Sequence, residues 1–170
     1  KIYMLDKLLL IKFGLSSVTF SILLSYKYKK KNVYMLVGSI AYACCSYSMA
    51  YISQVMWFDS IIYLPLVLVG LERLLTENKP IFYSLMLGFT IFSSFYIGFS
   101  ICIFLVLYFI VLSVVCVDTF KWKKFLKDFF RFGVFSVLAG GLSAFIILPI
   151  YGTISQTIAS GLVGPEELKF

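Results

Sequence analysis

Residues 81–117 contain no charged side chain. A single α-helix of 37 residues would run about 55 Å at about 1.5 Å per residue, whereas the hydrocarbon of a bilayer is about 30 Å thick. One straight crossing is therefore excluded. A soluble helix is excluded too, because this stretch offers no polar face to water. A helical hairpin meets both conditions. Its bend is expected near "SSFYIGFS" (residues 93–100), where Ser and Gly permit a tight turn and Tyr96 can anchor at an interface. The rest of the chain has the same character. Hydrophobic residues make up 61% and charged residues 14%, against about 45–50% and about 25% in a soluble domain. A 170-residue soluble fold could not hide that much apolar surface, so the solvent of this chain is lipid.

Runs of about 20 apolar residues then mark the crossings. Expected spans are 8–26, 33–52, 60–75, 81–95, 98–117 and 132–148. A polar turn, "TENKP", separates the third from the fourth, and Pro80 suits the first turn of a helix, where its missing N–H costs nothing. Pro65 interrupts the third. Between the fifth and sixth spans, Trp122, Phe125, Leu126, Phe129 and Phe130 recur at i, i+3, i+4, i+7 and i+8, with Lys121, Lys123, Lys124, Lys127 and Arg131 around them. That spacing predicts a basic amphipathic helix over 118–131 lying in the headgroup plane. The fold class expected is all-α: a polytopic integral membrane protein with about six transmembrane helices plus one cytoplasmic interfacial amphipathic helix. It forms a single transmembrane domain, closed by a polar loop over 151–170. With no initiator Met, and with Lys7 and Lys12 preceding a full-length span, the chain reads as an internal piece of a longer protein rather than one opening on a signal peptide.

Six crossings sort the charges. Loops 27–32, 72–80 and 118–131 fall on one side and hold four, two and five Lys/Arg; the opposite loops, 53–59, the bend near Tyr96 and 151–170, hold none, none and one. By the positive-inside rule the first set is cytoplasmic. The lysines at 27–31 and 121–131 also attract anionic lipids. Because the positive charge sits on loops between spans, a net charge of +7 carries no nucleic-acid role here.

Within residues 32–71 a single charge survives, Asp59. Its plain readings are a solvated acid at the outer interface, beside Trp57 as a belt aromatic, or a cap for the third helix. Its functional reading is an acid facing a cavity at the membrane surface that binds a metal, a hydroxyl or a cation. Lys12, inside the first span on the same side, either snorkels to the interface, contacts a phosphate or lipid headgroup, or partners Asp59. Glu72 and Arg73 read as a polar end at the inner interface. Cys44, Cys45, Cys102 and Cys116 sit in apolar runs with no His anywhere in the chain, which fits packing residues better than a zinc site. Phosphate-loop, dinucleotide, Ser-His-Asp and HExxH patterns are all absent.

The run "AYISQVMWFDSIIYLPLVLVGLERLLTENKPIFYSLMLGFTIFSSFYIGFSICIFLVLYFI" resembles the bacterial membrane-protein family called YfhO. The resemblance rests on Met56, Trp57, Phe58 and Asp59, on Pro65, on Gly70, Leu71, Glu72 and Arg73, and on Phe95, Tyr96, Ile97 and Gly98. The opening "KLLLIKFGLSSVTFSILL" and the late "AGGLSAFIILPIYGTISQTIAS" are also similar, whereas Ser94 stands where the family often has Asn. That family resembles GT-C glycosyltransferases. The resemblance implies transfer of a sugar from a polyprenyl-phosphate donor to a cell-surface polymer such as lipoteichoic acid, on the outer face of a bacterial cell membrane. It further implies that the principal catalytic acid lies in an outer loop preceding residue 1. Asp59 would then be an auxiliary acid, Lys12 a donor-phosphate contact and Trp57 a substrate contact, with a divalent metal as a possible cofactor. Two other classes compete: a transporter or flippase of lipid-linked intermediates, and a non-catalytic membrane scaffold. Ion-coupled transport wants charged groups near the midplane, and the spans hold almost none.

Overall fold

A computed structural model describes residues 2–29, 33–51, 55–115 and 122–144, together with Pro149 and Gly152. The apolar runs form seven helices, and no strand occurs among the described residues. They are α1 (Ile2–Tyr28), α2 (Val33–Ala43), α3 (Ser46–Ala50), α4 (Val55–Thr76), α5 (Pro80–Ser93), α6 (Phe95–Val115) and α7 (Trp122–Leu142). Three described stretches are long and apolar enough to cross a membrane: Asp6–Tyr28, Val33–Ala50 and Tyr96–Ser113; α5 is a shorter apolar helix.

Local chemistry sets the junctions. Lys29 and Asn78 follow α1 and α4 with φ of 52° and 60°, the left-handed conformation that commonly ends a helix. Pro80 occupies the first turn of α5. Ser94 leaves the helical region (φ −154°, ψ 105°) and reverses the chain between α5 and α6. Gly98 makes that reversal tight, since a Cβ there would lie 2.9 Å from the Ile91 Cα.

Helix α4 is the axis of the bundle, in contact with α1, α5, α6 and α7. Phe58, Ile61, Ile62, Val67, Val69, Leu71 and Leu74 along it are all buried. Where α4 meets α5, a Cβ on Gly70 would fall 2.8 Å from the Tyr83 Cα, so only glycine permits this spacing. Helix α7 is joined to α5 by hydroxyls rather than by apolar packing alone. Tyr83 Oη lies 2.8 Å from Ser136 Oγ, and Ser143 Oγ donates to the Gly88 carbonyl at 2.9 Å. Small and hydroxylated residues are the usual means of joining helices in lipid, where apolar packing gains nothing over lipid contact. Outward faces stay apolar, with Phe99, Ile103, Leu107 and Val111 of α6 exposed. That matches a lipid-facing wall.

Proline inside α4 has a specific remedy. Pro65 lacks an N–H, so the carbonyl of Ile61, one turn earlier, loses its helical donor. The Tyr42 hydroxyl of α2 donates to that carbonyl at 2.8 Å. The Tyr42 ring in turn lies flat on Phe20 of α1, with centroids 4.3 Å apart and planes 7° apart.

Three expectations change. The amphipathic segment and the sixth span are not separate: α7 runs unbroken from Trp122 to Leu142. Phe125, Phe129 and Phe132 continue one face across the expected boundary, and all three rings meet Phe109 of α6 at 5.0–6.0 Å. The second span is interrupted at Cys44 and Cys45, with Cys45 extended (φ −64°, ψ 160°) between α2 and α3. Helix α4 already includes Val55, so Asp59 lies within it and does not cap a helix beginning at residue 60. The polar bend at Ser53 and Gln54, the stretch 116–121 and the tail over 151–170, Gly152 apart, lie outside the described residues.

Candidate functional site

Two acids on α4 face opposite ends of the bundle. Asp59 is one turn into the helix and Glu72 four residues before its end. Thirteen residues of helix at about 1.5 Å each set them about 20 Å apart along the axis.

Asp59 meets Lys12. The Lys12 Nζ lies 2.5 Å from Asp59 Oδ1, and the two side chains are 14% and 29% exposed. Ser93, the last residue of α5, donates its hydroxyl to the other carboxylate oxygen at 3.4 Å. Three helices therefore converge on one carboxylate. Lys12 lies ten residues into α1 and Asp59 four residues into α4, so α1 reaches about 9 Å further out than α4 at this end. An apolar floor lies beneath the pair, where Phe13 of α1 packs against buried Phe58 at 4.8 Å.

Aromatic rings flank this end. Tyr47, Tyr51, Trp57 and Tyr96 form a series with centroid separations of 4.8, 5.1 and 6.4 Å, the last pair nearly parallel at 23°. Tyr96, at one end of the series, is 74% exposed. Two hydroxyls here are buried with no hydrogen-bond partner among the described residues, those of Tyr47 and of Ser60, the neighbour of Asp59. Buried polar groups are normally satisfied, so this end holds polar capacity that the fold itself does not use. A separate apolar groove of about 210 Å³ between α5 and α7 is lined by Leu85, Gly88, Phe89, Phe92, Leu142 and Ser143.

The opposite end is built differently. Tyr108 of α6 donates its hydroxyl to Glu72 at 2.7 Å, and Lys27 of α1 stands 4.0 Å from the same carboxylate. The Arg73 guanidinium lies over two rings, 5.3 Å from the centre of Tyr26 and 5.5 Å from that of Phe82. Arg131 of α7 hydrogen-bonds the Asn78 side chain, and Lys79 pairs with Glu77 at 3.2 Å. The Lys79 ammonium holds the Glu77 carboxyl below its ordinary range, with help from the Tyr26 hydroxyl. Lys27, Lys29 and Lys127 are exposed.

Of the residues singled out from sequence, the structure joins Lys12 to Asp59 and sets the Trp57 ring between those of Tyr51 and Tyr96. Glu72 and Arg73 are knit into four helices rather than merely ending one. Sequence reading missed Ser93, Tyr96 as a ring partner of Trp57, Tyr108 and Tyr42. Only Tyr42 had a local signal, the carbonyl that Pro65 must orphan. A metal ion finds little here: no group of three or more His, Cys, Asp or Glu is clustered among the described residues, and Lys12 already engages Asp59. The Asp59 end is thus suited to hydrogen-bond a hydroxyl-rich ligand and to present a cation and a carboxylate side by side.

The family described as bacterial membrane protein YfhO matches over residues 4–161. No curated protein matches, and neither does any solved structure.

Proposed function

The chain belongs to the YfhO family of bacterial membrane proteins, a membrane protein of the GT-C-like kind, and on that premise we propose that it is a glycosyltransferase with its substrates at the Asp59 end. The donor is a polyprenyl-phosphate sugar and the acceptor a hydroxyl of a cell-surface polymer such as lipoteichoic acid. In that transfer the acceptor oxygen bonds to the anomeric carbon, the bond from that carbon to the phosphate oxygen breaks, and its electron pair leaves with the phosphate. The acceptor proton needs a base, and the departing phosphate needs a cation. One observation carries the reading: a carboxylate and an ammonium held in contact at one end of the bundle. The Lys12 ammonium supplies a positive charge of the kind that such a phosphate needs.

Asp59 acts here as the auxiliary acid, orienting the acceptor hydroxyl, while the GT-C resemblance assigns the principal acid, which takes the acceptor proton, to another loop. Trp57 and Tyr96 offer ring faces to the sugar. At the opposite end, the exposed lysines bind anionic headgroups and keep that end on the cytoplasmic side.

The test is Asp59→Asn in the full protein. Glycosylation of the surface polymer falls at least tenfold at unchanged protein level; wild-type glycosylation would remove Asp59 from the site.

A further inference from the structure

Pro65 divides α4 into two halves, with buried Phe58, Ile61 and Ile62 before it and buried Val67, Val69, Leu71 and Leu74 after it. The half after it is welded into the bundle by Val67, Val69, Leu71 and Leu74, none more than 2% exposed, and by the close contact of Gly70 with Tyr83. The half before it carries Asp59, and its connection to the rest of α4 lacks the hydrogen bond from residue 65 to residue 61. Helices in lipid tolerate an internal proline when a neighbour re-satisfies the freed carbonyl. Here the neighbour is known: the Tyr42 hydroxyl, 2.8 Å from the Ile61 oxygen.

The position of this contact matters as much as its existence. Ile61 is two residues from Asp59. The Tyr42 ring lies on Phe20, two turns along α1 from Lys12. One side chain therefore ties both helices whose residues form the ion pair. Asp59 and Lys12 must each be turned correctly for a 2.5 Å contact, and a shift of α4 about its proline would part them.

We propose that Tyr42 is the positioning residue of the Asp59 site. Its hydroxyl replaces the hydrogen bond that Pro65 deletes, and so fixes the direction in which the first half of α4 presents Asp59 to Lys12 and Ser93. The role of the site in glycosyl transfer rests on the reading above; the tether itself does not.

The experiment measures the Lys12–Asp59 coupling by a double-mutant cycle, using K12M and D59N in the full protein, with unfolding followed in mixed detergent micelles. The cycle is run in the parent, in Y42F, in P65A and in Y42F/P65A. Y42F keeps the ring on Phe20 and removes only the hydroxyl. Its expected effect is a loss of about threefold or more in the coupling factor, since hydrogen bonds between membrane helices are individually modest. P65A restores an N–H at residue 65, so Y42F/P65A regains the coupling of P65A. A general loss of stability would not be repaired by a change at residue 65. The proposal is overturned if Y42F leaves the coupling at its parental value, or if P65A fails to relieve the loss. Should Y42F not fold, Y42F/P65A is compared with P65A: a folded, fully coupled double variant supports the tether, and an unfolded one overturns it. Wild-type glycosylation in D59N would remove Asp59 from the transferase site while leaving this cycle to decide the tether alone.

Discussion

Asp59 and Glu72 are carboxylates on one helix, and the two ends of the bundle treat them in opposite ways. Glu72 is the more enclosed, 12% exposed against 29%, yet its nearest donor is the neutral Tyr108 and its cation is a half-exposed lysine 4.0 Å away. Cations are plentiful at that end, with Lys27, Lys29, Lys79, Lys127 and Arg131 in the described structure. No single one of them has to be the partner. Around Asp59 cations are scarce, and the fold brings one from the third turn of α1 into direct contact. A charge in a dry place is tolerated when paired and hydrogen-bonded. Glu72 meets that demand with a neutral donor in contact and a cation at a distance, Asp59 with a cation in contact and a neutral hydroxyl at a distance. A carboxylate held mainly by a neutral hydroxyl, with other cations nearby, tolerates the loss of its distant cation. A dedicated pair does not, and its ammonium and carboxylate stay together at a fixed place where a ligand can meet both.

The sharpest attempt to break this contrast is Lys12→Met. It leaves Asp59 without its ammonium. Losing one member of a fully buried pair costs about 3–5 kcal/mol; with Asp59 part-exposed the expected loss is about 2 kcal/mol. The double variant K12M/D59N recovers part of that loss, because a neutral amide no longer needs a counter-charge. Unfolding in detergent micelles measures both, and equal stability of the single and double variants would show that the pair is not a unit. At the other end, Tyr108→Phe removes the principal donor to Glu72 but leaves Lys27 nearby. The expected loss is about 1 kcal/mol, smaller than for K12M; a larger loss would mean that Glu72 also depends on one partner. The smallest effect concerns Glu77. Its carboxyl is held below its ordinary range by Lys79. The stability it contributes is therefore present above the ordinary carboxylate pKa and is lost as pH falls through the lowered one. Lys79→Ala removes that contribution: the neutral plateau drops slightly, stability below the lowered pKa is unchanged, and that part of the acid profile flattens.

The all-helical membrane fold was legible in the sequence because lipid leaves few alternatives. Unbroken apolar runs become helices, and a run too long for one crossing must fold back. Ser94, within the expected bend, does leave the helical conformation. The pairing of Lys12 with Asp59 was legible as one option among three, since each is the isolated charge of its apolar stretch. Other features were hidden for physical reasons. Asp59 was read as a loop residue because Ser53, Gln54 and Trp57 look like an interface, whereas α4 includes Val55 and runs straight past the acid. The unity of α7 was obscured by its change from basic to apolar; what persists across that change is the phase of Phe125, Phe129 and Phe132. Tyr108 and Ser93 act through tertiary placement alone, and neither is distinguishable in sequence from the other hydroxyls of its helix.

The central position of α4 also bears on how the protein is made. This helix carries an Asp, an internal Pro, a Glu and an Arg, and acidic or basic residues in a membrane helix raise the cost of insertion, though less near its ends than at its centre. Alone in lipid it is a poor passenger. Synthesis proceeds from the N-terminus, so α1 is already available with Lys12 when α4 emerges, and Tyr42 of α2 arrives before the carbonyl it serves. The remaining neighbours, α5 to α7, come afterwards and close around it. The order of the helices along the chain thus supplies each awkward group of the first half of α4 with a partner in advance, and makes the earlier helices its escort into the membrane.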